Sequence, residues 1–235
     1  MRVLVACEFS GTVRDRFIAA GHEAMSCDLL ETTTPGPHYT GDIRDLLTTT
    51  AGYWDLMIAH PPCQFLSSSG LHWNKRPGYE WRQAETEKAL EFVRYLLDQP
   101  IPKIVVENPR GCIGTRIRKA NQVIHPYEFG DDASKETHLW LKGVKPLTKD
   151  PAMRFPGRWV TDPRNGKLVE RWANQTDSGQ NVLGPSEDRW AIRSLTYGGI
   201  ADAFVSWATG VENKLFVLER RLDALAAAVE ARCDA

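Results

Sequence analysis

The chain alternates short apolar runs with amphipathic stretches. Residues 2–7, 23–30, 55–59 and 104–106 are apolar runs of strand length. Residues 12–20 form a helical pattern closed by Gly21. Residues 81–98 carry Leu90, Phe92, Val93, Leu96 and Leu97 as the apolar face of a longer helix. Such alternation predicts an α/β fold, with a parallel sheet covered by helices on both faces.

From about Asn121 the pattern changes. Residues 122–126 and 137–141 read as further strands. Residues 158–161 and 167–170 flank a turn containing Asn165-Gly166, which predicts a hairpin. Residues 173–188 are polar and read as loop, and 200–208 as helix. Leu215, Leu218, Leu222, Leu225 and Val229 repeat at alternating three and four residues, a narrow apolar seam. That seam suits a terminal helix packing on its own domain, or a short coiled coil joining a homodimer. The expected organisation is a core over 1–142, a small insert over 143–192, a return to the core over 193–210 and a C-terminal helix over 211–235.

Length and composition bound the reading without directing it. At 235 residues the chain suits one substantial domain with a small insertion. A net charge of -1 gives no global basic field that demands nucleic acid. The insert is locally basic up to Trp172: Lys145, Lys149, Arg154, Arg158, Arg164, Lys167 and Arg171 face Asp150, Asp162 and Glu170. With Trp159 and Trp172 it could hold phosphates and stack bases, or form a solvated hairpin whose tryptophans pack inward. A second basic cluster is Arg110, Arg116, Arg118 and Lys119. Five cysteines without metal-like pairing, a strand directly after Met1 and no membrane-length apolar run together predict a cytoplasmic protein that binds no metal and meets no membrane.

The chemistry concentrates in His60-Pro61-Pro62-Cys63-Gln64-Phe65-Leu66-Ser67-Ser68-Ser69-Gly70, just past a strand. The two prolines stop the strand and fix the backbone before the cysteine. The run 103–106 ends in Glu107-Asn108-Pro109. A cysteine nucleophile and a carboxylic acid at two strand tips suit covalent catalysis on a ring that is protonated as it is attacked. On the other side, 2–7 runs through Phe9-Ser10-Gly11 into a helix, where backbone N–H groups could approach a ligand. Asp28 stands where a carboxylate would accept ribose hydroxyls, beside Leu29. Asp42 precedes Ile43 as a helix cap or a ligand contact.

These motifs resemble the cytosine-C5 DNA methyltransferases. Pro62, Cys63, Gln64, Leu66, Ser67 and Gly70 fill that family's Pro-Cys-Gln motif, and Glu107-Asn108-Pro109 resembles its Glu-Asn-Val. Phe9 and Gly11 match its first motif, with Val13 where a second glycine stands, and Gly41-Asp42-Ile43 resembles its third. The resemblance is good over 1–110 and faint beyond; the Gln-x-Arg-x-Arg motif has no clean match, with Lys135 and His138 as substitutes. It implies a class I, Rossmann-like fold with a reduced recognition insert, S-adenosylmethionine as cofactor and DNA or another cytosine-containing nucleic acid or nucleotide as partner. Compact versions are common in bacteriophages and prophages.

Residue by residue, the resemblance implies catalytic Cys63 and Glu107. Cofactor contacts would come from Phe9, Ser10, Gly11, Asp28, Leu29, Asp42, Ile43 and Pro62. Substrate contacts would come from Gln64, Ser67, Asn108, Arg110 and Lys135. Three other readings stay open. One is a methyltransferase for a pyrimidine nucleotide or single strand. Another is an amino-methyltransferase, whose motif His60-Pro61-Pro62-Cys63 matches in outline only. The last is an inactive DNA-binding module.

Overall fold

The computed structural model describes residues 1–210 and Leu222. Its sheet begins with β1 (Arg2–Ala6), followed by α1 (Thr12–Ala19), β2 (Glu23–Asp28), β3 (His38–Thr40), α2 (Ile43–Thr49) and β4 (Leu56–Ala59). A short α3 (Ser68–Leu71) and the long α4 (Trp81–Asp98) lead into β5 (Lys103–Pro109). Then come α5 (Ile113–Arg116), β6 (Gln122–Ile124) and β7 (Thr137–Lys142). The strand order is β3-β2-β1-β4-β5-β7-β6. The first five strands run parallel, and β7 lies antiparallel between β5 and β6. This is a mixed α/β architecture with a mostly parallel central sheet.

The chain winds outward from β1 to β3, then crosses back to place β4 on the other side of β1. That reversal opens a crevice beyond the carboxyl ends of β1 and β4, where open α/β sheets bind ligands. Leu4 and Ala6, Met57 and Ala59, and Ile104 and Val106 share one core cluster with Leu90, Val93, Leu96 and Leu97 of α4. The intervening Val3, Val5, Leu56, Ile58 and Val105 are buried as well. Burial on both faces is what a parallel sheet requires, and it explains the unbroken apolar runs.

Two compact units are present. One comprises Met1–Ile124 with Lys135–Pro146 and holds the sheet; the other comprises His125–Ser134 with the described residues from Leu147 onward. The second unit contains the hairpin β8 (Arg158–Thr161) and β9 (Leu168–Arg171), then α6 (Arg189–Ser194) and α7 (Gly198–Thr209). Trp172 is buried there, its ring stacked on Tyr127 at 4.0 Å and its Nε1 donating to the Phe155 carbonyl. Trp172 therefore packs inward, whereas Trp159 is 65% exposed. Lys149, Arg154, Arg158, Arg164 and Arg171 each pair with an acid of the same unit, so much of the insert's local charge is neutralised at home.

Three strand boundaries differ from expectation by two residues or more. The strand expected over 23–30 stops at Asp28, whose Oδ1 accepts from the Leu30 amide and turns the chain. The strand expected over 122–126 stops at Ile124, because Pro126 opens a 3₁₀ turn over Pro126–Phe129. The strand expected over 104–106 extends to Pro109, because β7 pairs with it from Ile104 to Pro109. Leu215, Leu218, Leu225 and Val229 of the apolar seam lie outside the described residues, and Leu222 is exposed.

Candidate active site and cofactor pocket

His60 continues β4 by one hydrogen bond, its N–H donating to the Ala6 carbonyl at 2.9 Å. Pro61 and Pro62 offer no N–H, so the ladder ends there. A 3₁₀ turn over Cys63–Phe65 follows, with the amides of Leu66 and Ser67 both donating to the Cys63 carbonyl. Cys63 is exposed at the start of this turn. Leu66 beneath it is buried, which anchors the turn to the sheet.

The turn is stitched to the exit of β5. Asn108 Nδ2 donates to the Pro61 carbonyl at 2.7 Å, and Asn108 is 1% exposed. The Ser68 amide donates to the Arg110 carbonyl and the Cys112 amide to the Leu66 carbonyl, each at 2.9 Å. Ser67 bridges Gly111 in antiparallel fashion. This approach requires glycine: a Cβ at 111 would sit 1.8 Å from the Leu66 carbonyl oxygen. Ser67 is buried, its hydroxyl bonded to that of Ser69, and Gln64 and Arg110 are exposed. Asn108 and Ser67, expected to meet substrate, thus hold the turn through side chain and backbone.

Arg82 fastens the same turn from the other side. Its Nη2 reaches the carbonyls of Gln64 and Gly70 at 3.1 and 3.4 Å, and its Nε donates to Asn74 Oδ1. The guanidinium lies 4.6 Å from the Phe65 ring centre. The sequence reading missed this residue. Its one signal is position, because 82, 86, 90, 93 and 97 lie on the buried face of α4.

Glu107 follows Val106, which pairs with Ala59, so His60 and Glu107 are the next positions on adjacent parallel strands. His60 Nδ1 lies 3.0 Å from Glu107 Oε2, with side chains 8% and 13% exposed. Burial pushes the Glu107 carboxyl up; the His60 hydrogen bond, the Lys135 charge and the His60 charge pull it down further, leaving it below the usual carboxylate range. Lys135 reaches this neighbourhood because β7 runs back alongside β5, setting His138 opposite Asn108. His138 itself bonds Glu136 at 2.8 Å.

Beside these strand tips lies a cavity of about 330 Å³. Pro61, Pro62, Phe65, Ile43, Phe92, Cys7 and Cys27 give it apolar walls, and Asp28, Asp42 and Arg44 give it charge. Leu29 lies at its rim, 74% exposed. Asp42 caps α2, accepting from the Arg44 amide at 2.9 Å, and it also lines the cavity. Burial pushes the Cys7 thiol far up and the Cys27 thiol up to about 12, so both are neutral wall groups. Cys63 is the exposed cysteine among the described residues.

Phe9, Ser10 and Gly11 do not line this cavity. Their turn is built around Glu8, which is 4% exposed and accepts from the amides of Val13 and Arg14 at 2.7 and 3.2 Å. The Thr12 amide donates to Ser10 Oγ. The start of α1 is thus satisfied within the chain, which corrects the expectation that its amides await a ligand. Gly11, at φ +72°, instead admits Thr34, whose Oγ1 would lie 2.2 Å from a Cβ there.

An apolar slot bordered by three carboxylates, Asp28, Asp42 and Glu85, and by Arg44 and Lys88 has walls that can take a flat ring and acceptors that can take hydroxyl and amine donors. No three His, Cys, Asp or Glu side chains gather to hold a metal ion among the described residues. No helix among them is long and apolar enough to cross a membrane.

Compared with known proteins, the chain matches no sequence family and no curated protein. Among solved structures it has a partial likeness to a proposed DNA modification methyltransferase encoded within an E. coli prophage. The TM-score is 0.38 at 11% identity, over 60% of this chain and 46% of the other. The chain spans less than half of that protein's length, and a likeness at this level fixes neither fold nor function.

Proposed function

We propose that the chain is a class I, S-adenosylmethionine-dependent methyltransferase acting on C5 of cytosine through a covalent adduct with Cys63. One observation carries this reading. An exposed cysteine on a rigid turn and a buried carboxyl on the adjacent strand tip are stitched together, beside a slot that suits a nucleoside.

Asp28 and Asp42 would hold the cofactor's hydroxyls and amine, with Ile43, Pro62 and Phe65 against its ring. When bound, S-adenosylmethionine supplies an electrophilic methyl group. Cytosine C5 is too weakly nucleophilic to take it unaided. The Cys63 thiolate adds to C6, pushing ring electrons towards N3. Glu107 gives its proton to N3 as that charge develops, and its carboxylate hydrogen-bonds the 4-amino group. Once C5 has gained the methyl group, its proton passes to a solvent base, the C6–S bond breaks to release the Cys63 thiolate, and Glu107 recovers the N3 proton. A cytosine in duplex DNA must leave the base stack to reach these groups.

A smaller substrate is favoured by one observation: the insert pairs most of its cations internally and buries Trp172, leaving little surface for a duplex. A pyrimidine nucleotide or single strand needs less surface. The deciding experiment incubates 5-fluorocytosine as duplex, single strand and nucleotide with S-adenosylmethionine, followed by intact-mass spectrometry. Fluorine at C5 blocks the last proton loss, so a Cys63-dependent adduct is expected, and the substrate that traps names the class. No adduct with any of the three, despite measured cofactor binding, sinks the reading in favour of an amino-methyltransferase or a non-catalytic module.

A further inference from the structure

The proposed reaction asks Glu107 to donate a proton, yet the environment of this carboxyl favours its anion. The largest contribution to that preference is the hydrogen bond from His60, with the Lys135 charge beside it, and the resemblance assigns His60 nothing. A carboxylate only accepts, so the 3.0 Å contact places a proton on His60 Nδ1. His60 Nε2 is buried and has no hydrogen-bond partner among the described residues. Strand register leaves the pair little freedom, because Ala59 and Val106 fix the two following residues side by side.

We propose that His60 is the positioning residue for Glu107: it engages Oε2, leaves Oε1 for the ring, and sets how readily the carboxyl releases its proton. This rests on the C5 reading above. In the step it serves, the Glu107 O–H bond breaks and the N3–H bond forms. The electron pair stays on the carboxylate, and the His60 Nδ1–H bond strengthens against the new charge. The groups facing Glu107 are His60 from β4 and Lys135 from the segment entering β7. His60 thus trades a smaller protonated fraction of Glu107 at rest for a more stable anion after transfer.

The test has two readouts. Single-turnover methylation is followed from pH 3 to 7, a range that spans the lowered titration of Glu107, in the wild type, His60→Leu and His60→Gln. The rate falls as Glu107 loses its proton. In His60→Leu that limb is expected to move up by about one pH unit, a tenfold change in the protonated fraction. His60→Gln keeps an N–H donor and is expected to stay closer to the wild type. A merely structural role would lower the rate by one factor at every pH, and an unmoved limb overturns the proposal.

Carbon-13 NMR of the Glu107 carboxyl in the same proteins needs no substrate. Its titration midpoint is expected to rise in His60→Leu, and an unchanged midpoint also overturns the proposal. If the wild type forms no adduct with 5-fluorocytosine, the C5 reading fails by itself, while the NMR still decides the link between His60 and Glu107.

Discussion

Asn108 Nδ2 donates to the Pro61 carbonyl at 2.7 Å, joining the tips of β4 and β5 across 47 positions of sequence. Pro61 and Pro62 supply no donors of their own, so this bond fixes where the Cys63 turn leaves the sheet. Replacing Asn108 with Ala strands a buried carbonyl and is expected to cost about 1–3 kcal/mol. Asn108→Asp sets a carboxylate against that carbonyl and is expected to cost more. Thermal unfolding of the two variants checks this, and an Asp variant as stable as the wild type would contradict it.

Gly111 makes the second seam possible. An alanine there would place its Cβ 1.8 Å from the Leu66 oxygen, so the two segments must part. The Cys112-to-Leu66 and Ser68-to-Arg110 bonds would lengthen with them. The expected loss is about 1–3 kcal/mol, the usual cost of overpacking. It should appear with faster hydrogen exchange at the amides of Ser68 and Cys112. Unchanged exchange at both would mean the seam absorbs the methyl elsewhere.

These contacts show what the sequence could and could not reveal. The apolar runs of β1 and β4 and the helical face of α4 depend on local patterning, and they fall where that patterning puts them. β3 is three residues of mixed polarity, and α6 has no fully buried residue, so neither carries a periodic signal. The extension of β5 through Glu107 depends on β7, a partner some 30 residues away, and no local pattern announces it. The positions of Cys63 and Glu107 at two strand tips were legible because prolines and strand ends mark them. What holds them was not: His60 received no role from the sequence, and Arg82 was not singled out at all. Glu8, which fills the start of α1, gave no signal apart from its place at a strand end.

Arg82 is expected to govern the order of the segment after Cys63. Arg82→Leu removes donors from the Gln64 and Gly70 carbonyls and from Asn74, at an expected cost of about 2–3 kcal/mol. Arg82→Lys keeps the charge without the planar fork and should fall between. Limited trypsin digestion reports on this directly, because the Lys75–Arg76 bond lies in the segment, while Pro77 blocks cleavage after Arg76. Faster cleavage there in Leu than in Lys, and slowest in the wild type, is the expected order. Equal rates in all three would show that Arg82 does not hold the segment.

Glu107 also predicts how stability depends on pH. Its carboxyl is held below the usual range in the folded chain, so folding favours its ionised form. The resulting stabilisation is present above the ordinary carboxylate range and is lost as pH falls through the lowered folded value. Glu107→Gln should therefore melt below the wild type near pH 7, and the gap should close in acid. A gap that stayed constant down to pH 3 would show that the anion contributes nothing to folding.

Asp42 separates structure from ligand binding within one side chain. It caps α2 through the Arg44 amide, and it lines the cavity. Asp42→Ala loses the cap, at about 1 kcal/mol, whereas asparagine caps a helix about as well as aspartate. If Asp42 also accepts from the cofactor's amine, both variants lose the charged acceptor. Each should then bind S-adenosylhomocysteine roughly tenfold more weakly, about 1.4 kcal/mol by calorimetry. The melting temperature should fall in the alanine variant alone. An asparagine variant with wild-type affinity would reduce Asp42 to a cap and leave Asp28 and Glu85 as the carboxylates on the cavity wall.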